Sequence, residues 1–346
     1  MLKKRLLLVA ALLLGGLAIP AAEPTPEILK ARQETAAADA VLLGNADLAA
    51  VFKTPAGIKL RDGWMKNLEK EFHLERELGI KFGDFSHMNL VCRVKGRLDD
   101  HYNMEGAWLV LVESETVDLF AKLKEQFVKA VGERVQQAPD GKTLATLEGG
   151  STAIWLQAPP GGQGFRMAWA QFPRSSPARN VLDCPVKLTS QPSVLSTVIK
   201  EQGKGQVVVG LRFAYPIQSL LDKEILRDLQ RQAQRDNNPK AAFLNLDWLL
   251  DLDTLVVSAE AGDKLTLTLN GNFPDKDDAA AAAKRLAGTL GMLCGLVEQQ
   301  IAANPEAKML AACQELLQSV KMECQDRTLK VSLVIPDAML QYTGER

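Results

Sequence analysis

Apolar and polar residues alternate most regularly over residues 254–273. Leucine occupies every second position of residues 265–269, with threonine between, which is the pattern of a strand with one buried face. A second β-rich run precedes it, and Gly262 between the two runs predicts a hairpin turn. Two similar runs at residues 89–96 and 106–113 predict another hairpin earlier in the chain.

Helical periodicity follows each of these hairpins. Apolar residues at helical spacing over residues 116–131 predict an amphipathic helix. Residues 279–303 predict a long helix, Pro305 ends it, and residues 306–321 predict a return helix. Residues 331–335 predict a final strand. We therefore expect an α+β fold, with mostly antiparallel sheets and helices packed mainly on one face.

The order of these elements predicts an internal repeat. Three pairs of residues in matching local contexts each stand 166 residues apart: Pro26 and Pro192, Gly44 and Gly210, Gly96 and Gly262. We interpret the chain as two related units, residues 24–178 and 186–342, joined by a linker at 179–185. The second unit carries an inserted helical hairpin.

The N-terminus has the features of an export signal. Three basic residues at positions 3–5 precede an apolar run at residues 6–19, and small residues suited to cleavage follow. Residues 1–22 therefore predict a signal peptide, and we expect a periplasmic or secreted protein with no membrane span after cleavage. An uncleaved N-terminal anchor is the alternative, because the same run could be retained.

Charge and composition exclude some partners. The chain has 41 basic and 42 acidic residues, a formal net charge of −1. The balance is more acidic without the three basic residues of the leader, so no basic excess favours nucleic acid. Aromatic residues make up 5% of the chain, too few to indicate stacking platforms for bases.

The cysteines allow one disulfide prediction. The chain has five, so at least one is free or pairs between chains. Cys294 and Cys313 stand at about equal distances from the predicted turn of the helical hairpin, which predicts a disulfide between them. Two buried thiols are the alternative, since free cysteine behaves as a small apolar residue.

Histidine and serine positions argue against catalysis. His73, His87 and His101 are spaced 14 residues apart, so they do not share one helical face and do not match a zinc motif. Ser151 follows two glycines, but no histidine lies beyond residue 101 to complete a hydrolase triad in the usual order. We predict no catalytic, metal-binding or cofactor-binding residue.

A resemblance covers mainly residues 250–340. Residues 270–280 and 320–336, with a long helix pair between them, resemble exported bacterial α+β proteins assigned to domains of unknown function. The resemblance implies an exported α+β protein and carries over no catalytic residue.

Three functions are compatible with these features. The first is a non-enzymatic protein that binds or scaffolds a partner in the cell envelope. The second is a periplasmic carrier of an apolar ligand such as a lipid, which a deep apolar cavity would favour. The third is a hydrolase using His87 or His101, which a cleft gathering both histidines with Asp99 or Asp100 would favour.

Overall fold

The structure is a computed structural model. It describes residues 41–65, 81–95, 105–114, 118–131, 135–137, 143–147, 152–158, 164–171, 194–213, 248, 251–304 and 307–341. The predicted signal peptide (1–22), the predicted linker (179–185), His73 and His101 lie outside these residues.

The described residues form twelve strands and seven α-helices. The strands are β1 (Leu42–Asp47), β2 (His87–Lys95), β3 (Glu105–Glu113), β4 (Val135–Gln137), β5 (Thr143–Leu147), β6 (Thr152–Gln157), β7 (Gly164–Gln171), β8 (Val207–Arg212), β9 (Thr254–Ala261), β10 (Leu265–Asn272), β11 (Lys321–Gln325) and β12 (Thr328–Ile335). The α-helices are α1 (Leu48–Val51), α2 (Pro55–Leu60), α3 (Leu119–Val131), α4 (Val194–Gln202), α5 (Lys276–Ala303), α6 (Lys308–Ser319) and α7 (Asp337–Leu340).

The strands form one antiparallel sheet, which confirms the α+β class. Its order is β11-β12-β10-β9-β8-β1-β2-β3-β7-β6-β5-β4. β1 and β8 pair antiparallel in its interior, so strands from both sides of the predicted linker belong to the same sheet. The sequence led us to expect a separate sheet for each unit. The β1–β8 ladder instead joins the strands before the predicted linker to those after it in one sheet.

The two sides of the β1–β8 ladder follow similar orders. Outward from the ladder, one side runs β1-β2-β3-β7-β6 and the other runs β8-β9-β10-β12-β11. On each side three successive strands lie next to one another, and the last strand in sequence then returns beside the third. The first side extends further, because β5 and β4 continue beyond β6.

Helices cover both faces of the sheet, whereas the sequence predicted them mainly on one. A Cβ added at Gly210 would lie 2.7 Å from Ile199 of α4, so α4 crosses the sheet over that glycine. The next residue, Leu211, points to the opposite face and packs with Phe273 and Ala282 at the base of α5. β8 is apolar at successive positions, which suits a strand that is covered on both sides.

The start of α5 matches its local chemistry. The Asp275 side chain accepts hydrogen bonds from the backbone N–H groups of Asp277 (2.8 Å) and Asp278 (2.9 Å), which satisfies donors that the first helical turn leaves unpaired. Below it lies a cluster of buried side chains: Phe213, Leu252, Phe273, Ala279, Ala282 and Leu329. The cap and the cluster fix the first turns of α5 against the sheet.

The end of the return helix differs from the prediction. The sequence predicted a helix to residue 321, but α6 ends at Ser319 and β11 begins at Lys321. Val320 has extended backbone angles, and a turn with Asp326 at a φ of 50° connects β11 to β12. An aspartate tolerates that left-handed conformation better than most residues, which suits it to this tight turn. The helical periodicity of the sequence did not indicate the short edge strand β11 before the turn.

Candidate functional site

His87 lies between two carboxylates, because the strand register places them side by side. β1 pairs Asp47 with His87, and β3 pairs Glu113 with the same residue. The Nε2 atom of His87 lies 3.5 Å from Oδ2 of Asp47, and its Nδ1 atom lies 3.9 Å from Oε2 of Glu113. The side chains of Asp47, His87 and Glu113 are respectively 4%, 12% and 18% exposed, so the cluster is largely enclosed.

Asp47 also ends β1 and begins α1. Its Oδ1 atom accepts a hydrogen bond of 3.0 Å from the backbone N–H of Ala50, as an N-cap does. One carboxylate thus contacts the histidine ring and caps a helix.

The hydrolase hypothesis stays a prediction, because the cleft it needs would gather His87 with His101 and Asp99 or Asp100, and residues 99–101 lie outside the described residues. The structure brings His87 to Asp47 and Glu113, neither of which the sequence singled out. Within the described residues, no group of three or more His, Cys, Asp or Glu side chains could hold a metal ion.

Asp47→Ala should lower the free energy of unfolding by about 1–3 kcal/mol, because a helix cap and a partner of the half-buried His87 are both lost. Asp47→Asn should lower it less, because asparagine also caps helices. Urea unfolding followed by circular dichroism measures both. Equal losses for the two variants would contradict the capping role.

The cysteines of the predicted disulfide are free thiols in the structure. Cys294 and Cys313 are half-buried, and the pairing stays a prediction. Cys324 is exposed on β11, whereas Cys92 is buried in β2. Burial raises the pKa of the Cys92 thiol from its ordinary value of 9.0 to about 12, since an apolar environment disfavours the thiolate.

The Cys92 thiol predicts a loss of stability in alkali. The unfolded thiol ionises near pH 9, while the folded one stays protonated to about pH 12. Between these values the unfolded state releases a proton that the folded state keeps. The free energy of unfolding should therefore fall by on the order of 1 kcal/mol per pH unit. Urea unfolding of the wild type and of Cys92→Val at several pH values from about 8.5 to 10.5 measures this effect. The free energy of unfolding of Cys92→Val should fall less steeply with pH than that of the wild type. Equal slopes for the two proteins would contradict the prediction.

One side of helix α5 is exposed along most of its length. It has 28 residues, and its buried residues are Ala279 and Ala282, both near its start. Met292 is 46% exposed, and a Cβ added at Gly291 or Gly295 would meet no atom within 4 Å. Among the described residues, α5 alone is long and apolar enough to cross a membrane; core helices of soluble proteins also meet that test.

Seven exposed residues form one side of α5, which we call the α5 outer face. They recur every three or four positions, the spacing of a single helical side. They are Ala280, Lys284, Ala287, Gly291, Gly295, Glu298 and Ala302. Gly291 and Gly295 face open space on this side.

Comparisons with known proteins give no match. No family model matches the chain, and neither the curated proteins nor the solved structures contain a match. The resemblance to exported α+β proteins therefore stays a prediction.

Proposed function

We propose that this chain is an exported, non-enzymatic protein that binds or scaffolds a partner in the cell envelope through the α5 outer face. The observation that supports this most is a 28-residue helix with one side exposed from Ala280 to Ala302. That side has open space at Gly291 and Gly295 and borders the exposed Met292, so another helix can pack closely there. Export rests on the leader at residues 1–22, and N-terminal sequencing of the mature protein tests it.

The arrangement around His87 also favours a non-enzymatic role. Both ring nitrogens face carboxylates, at 3.5 Å from Asp47 and 3.9 Å from Glu113. Asp47 in turn caps α1. The histidine therefore bridges β1 and β3 within the fold, which is a structural use of the side chain.

We further propose that the sheet arose by duplication of one unit, with β1 equivalent to β8 and β7 equivalent to β12. Strand bounds support this: β1 and β8 both have six residues and start 165 residues apart, at Leu42 and Val207. β7 and β12 both have eight residues and start 164 apart, at Gly164 and Thr328. β2 and β9 start 167 apart, at His87 and Thr254.

The β1–β8 ladder supports a twofold axis between the two units. Its five pairs run from Leu42–Leu211 to Ala46–Val207, and the middle pair is Gly44–Val209. These two residues also stand 165 apart, so each is the other's equivalent. When a twofold axis relates two antiparallel strands, it passes between two equivalent residues that lie opposite each other. In this ladder that position is between Gly44 and Val209.

The register also refines the spacing of 166 that the sequence suggested. Gly44 and Gly210 have that spacing. However, Gly44 is opposite Val209, so Gly44 and Gly210 point to different faces of the sheet. A shift of one residue exchanges the faces of a strand. The ladder therefore favours 165 for β1 and β8.

A photo-crosslinking amino acid at Met292 tests the binding function. Met292 borders the α5 outer face and is 46% exposed, so substitution there should preserve the fold. We expect a covalent adduct in intact cells for this position. The control position is Glu260, which is exposed on β9, and it should give none. No adduct from position 292 would contradict the proposal.

A further inference from the structure

We propose that the partner of the α5 outer face is a second copy of this chain, docked antiparallel about a twofold axis at Gly291. This inference rests on the proposed function and names its partner. The face is exposed in the structure, and a helix side made largely of small residues is stabilised when a second helix packs against it and excludes water.

The α5 outer face is complementary to itself. In an antiparallel helix pair centred on Gly291, each residue meets the one equally far from the centre in the second copy. The contacts are Ala280 with Ala302, Lys284 with Glu298, Ala287 with Gly295, and Gly291 with Gly291. Every residue of the face therefore meets another residue of the same face, as an isologous interface requires.

Charge selects the antiparallel orientation. Lys284 and Glu298 are exposed, and neither has an ion-pair partner among the residues that the structure describes. The antiparallel dimer brings each lysine to a glutamate, and the twofold axis makes this contact twice. A parallel dimer in the same register would place Lys284 beside Lys284 and Glu298 beside Glu298, so it is disfavoured.

The remaining residues of the face permit close approach. All five are alanine or glycine, and the open space at Gly291 and Gly295 leaves room for a second helix. Small side chains allow helix axes to come within about 8 Å. From Ala280 to Ala302 the face extends about 33 Å at the usual helical rise. A lipid surface suits it less well, because Lys284 and Glu298 lie within the face.

Charge reversal tests the dimer directly by analytical ultracentrifugation of the mature chain. Lys284→Glu and Glu298→Lys should each raise the dimer Kd roughly tenfold, because two exposed attractive pairs become repulsive. The double variant restores opposite charges in both pairs, so its Kd should return to near the wild-type value. Lys308→Glu is the control, because Lys308 is exposed on α6 outside the face.

Gly291→Trp adds a test that does not depend on charge. Two tryptophans would meet at the twofold axis, so the variant should be monomeric with an unchanged circular dichroism spectrum. The inference would be overturned if the wild-type chain were monomeric at roughly 100 µM, because its dimer affinity would then be lower than that of a specific dimer. A double variant as weak as the single ones would also overturn it.

The crosslink at Met292 separates the two proposals. An adduct of twice the chain mass supports both the binding function and the dimer. An adduct with a different protein or with lipid overturns the dimer and leaves a binding function for the face. The absence of any adduct contradicts both.

Discussion

Phe273→Ala is expected to lower the free energy of unfolding by about 3–5 kcal/mol. Phe273 is 2% exposed and belongs to the buried cluster at the base of α5, with Leu252, Ala282 and Leu329. Removing the ring leaves a cavity where β10 ends and α5 begins, and the fixed neighbours can fill it only in part. Urea unfolding at neutral pH measures the loss.

Two controls make the Phe273 result interpretable. Phe273→Leu keeps most of the apolar volume and should be less destabilising, by about 1–2 kcal/mol. Ile58→Ala removes a side chain that is 40% exposed and should change stability by less than about 1 kcal/mol. A loss of less than about 1 kcal/mol for Phe273→Ala would contradict the packing described for this cluster.

Gly57→Ala should destabilise the protein by about 3 kcal/mol or more, since inserting atoms into a packed site forces the backbone to move. A Cβ at Gly57 would lie 1.9 Å from the carbonyl oxygen of Val51 and 2.6 Å from its carbonyl carbon. Both are backbone atoms, so no side-chain rotation relieves the overlap. Differential scanning calorimetry should show a markedly lower Tm.

Gly262→Ala is the matched control for Gly57→Ala. Gly262 lies in the turn between β9 and β10, and a Cβ there would meet no atom within 4 Å. Its effect should stay within about 0.5 kcal/mol, the usual range for surface substitutions. Equal effects at the two glycines would show that the contact between α1 and α2 is looser than described.

Local patterns predicted several of the elements. The hairpin over residues 254–273 is present as β9 and β10, and α5 ends at the predicted residue 303. Side-chain alternation, turn glycines and the Pro305 break act over a few residues, so they can be read from the sequence.

Long-range pairing could not be predicted in the same way. The β1–β8 ladder joins strands far apart in the chain, and the histidine site depends on the registers of Asp47 and Glu113 with His87. Nothing in the local sequence around His87 specifies either carboxylate. The outward direction of Gly291 likewise depends on where α5 meets the sheet.

We propose that two related units form one sheet by pairing β1 with β8 about Gly44 and Val209. Backbone hydrogen bonds from Arg212 to Val41 and from Asp47 to Gln206 flank this ladder, so alternation makes Gly44–Val209 a non-hydrogen-bonded pair. Opposed Cα atoms lie about 4.5 Å apart in such pairs, which suits a disulfide.

The most direct measurement is therefore peptide mass mapping after mild oxidation of two double-cysteine variants. Gly44→Cys with Val209→Cys should give a crosslinked peptide. Gly44→Cys with Val208→Cys should give much less, because Val208 is opposite Asn45 and points to the other face of the sheet. No crosslink in either variant, or one only between positions 44 and 208, would contradict the shared sheet and its twofold register.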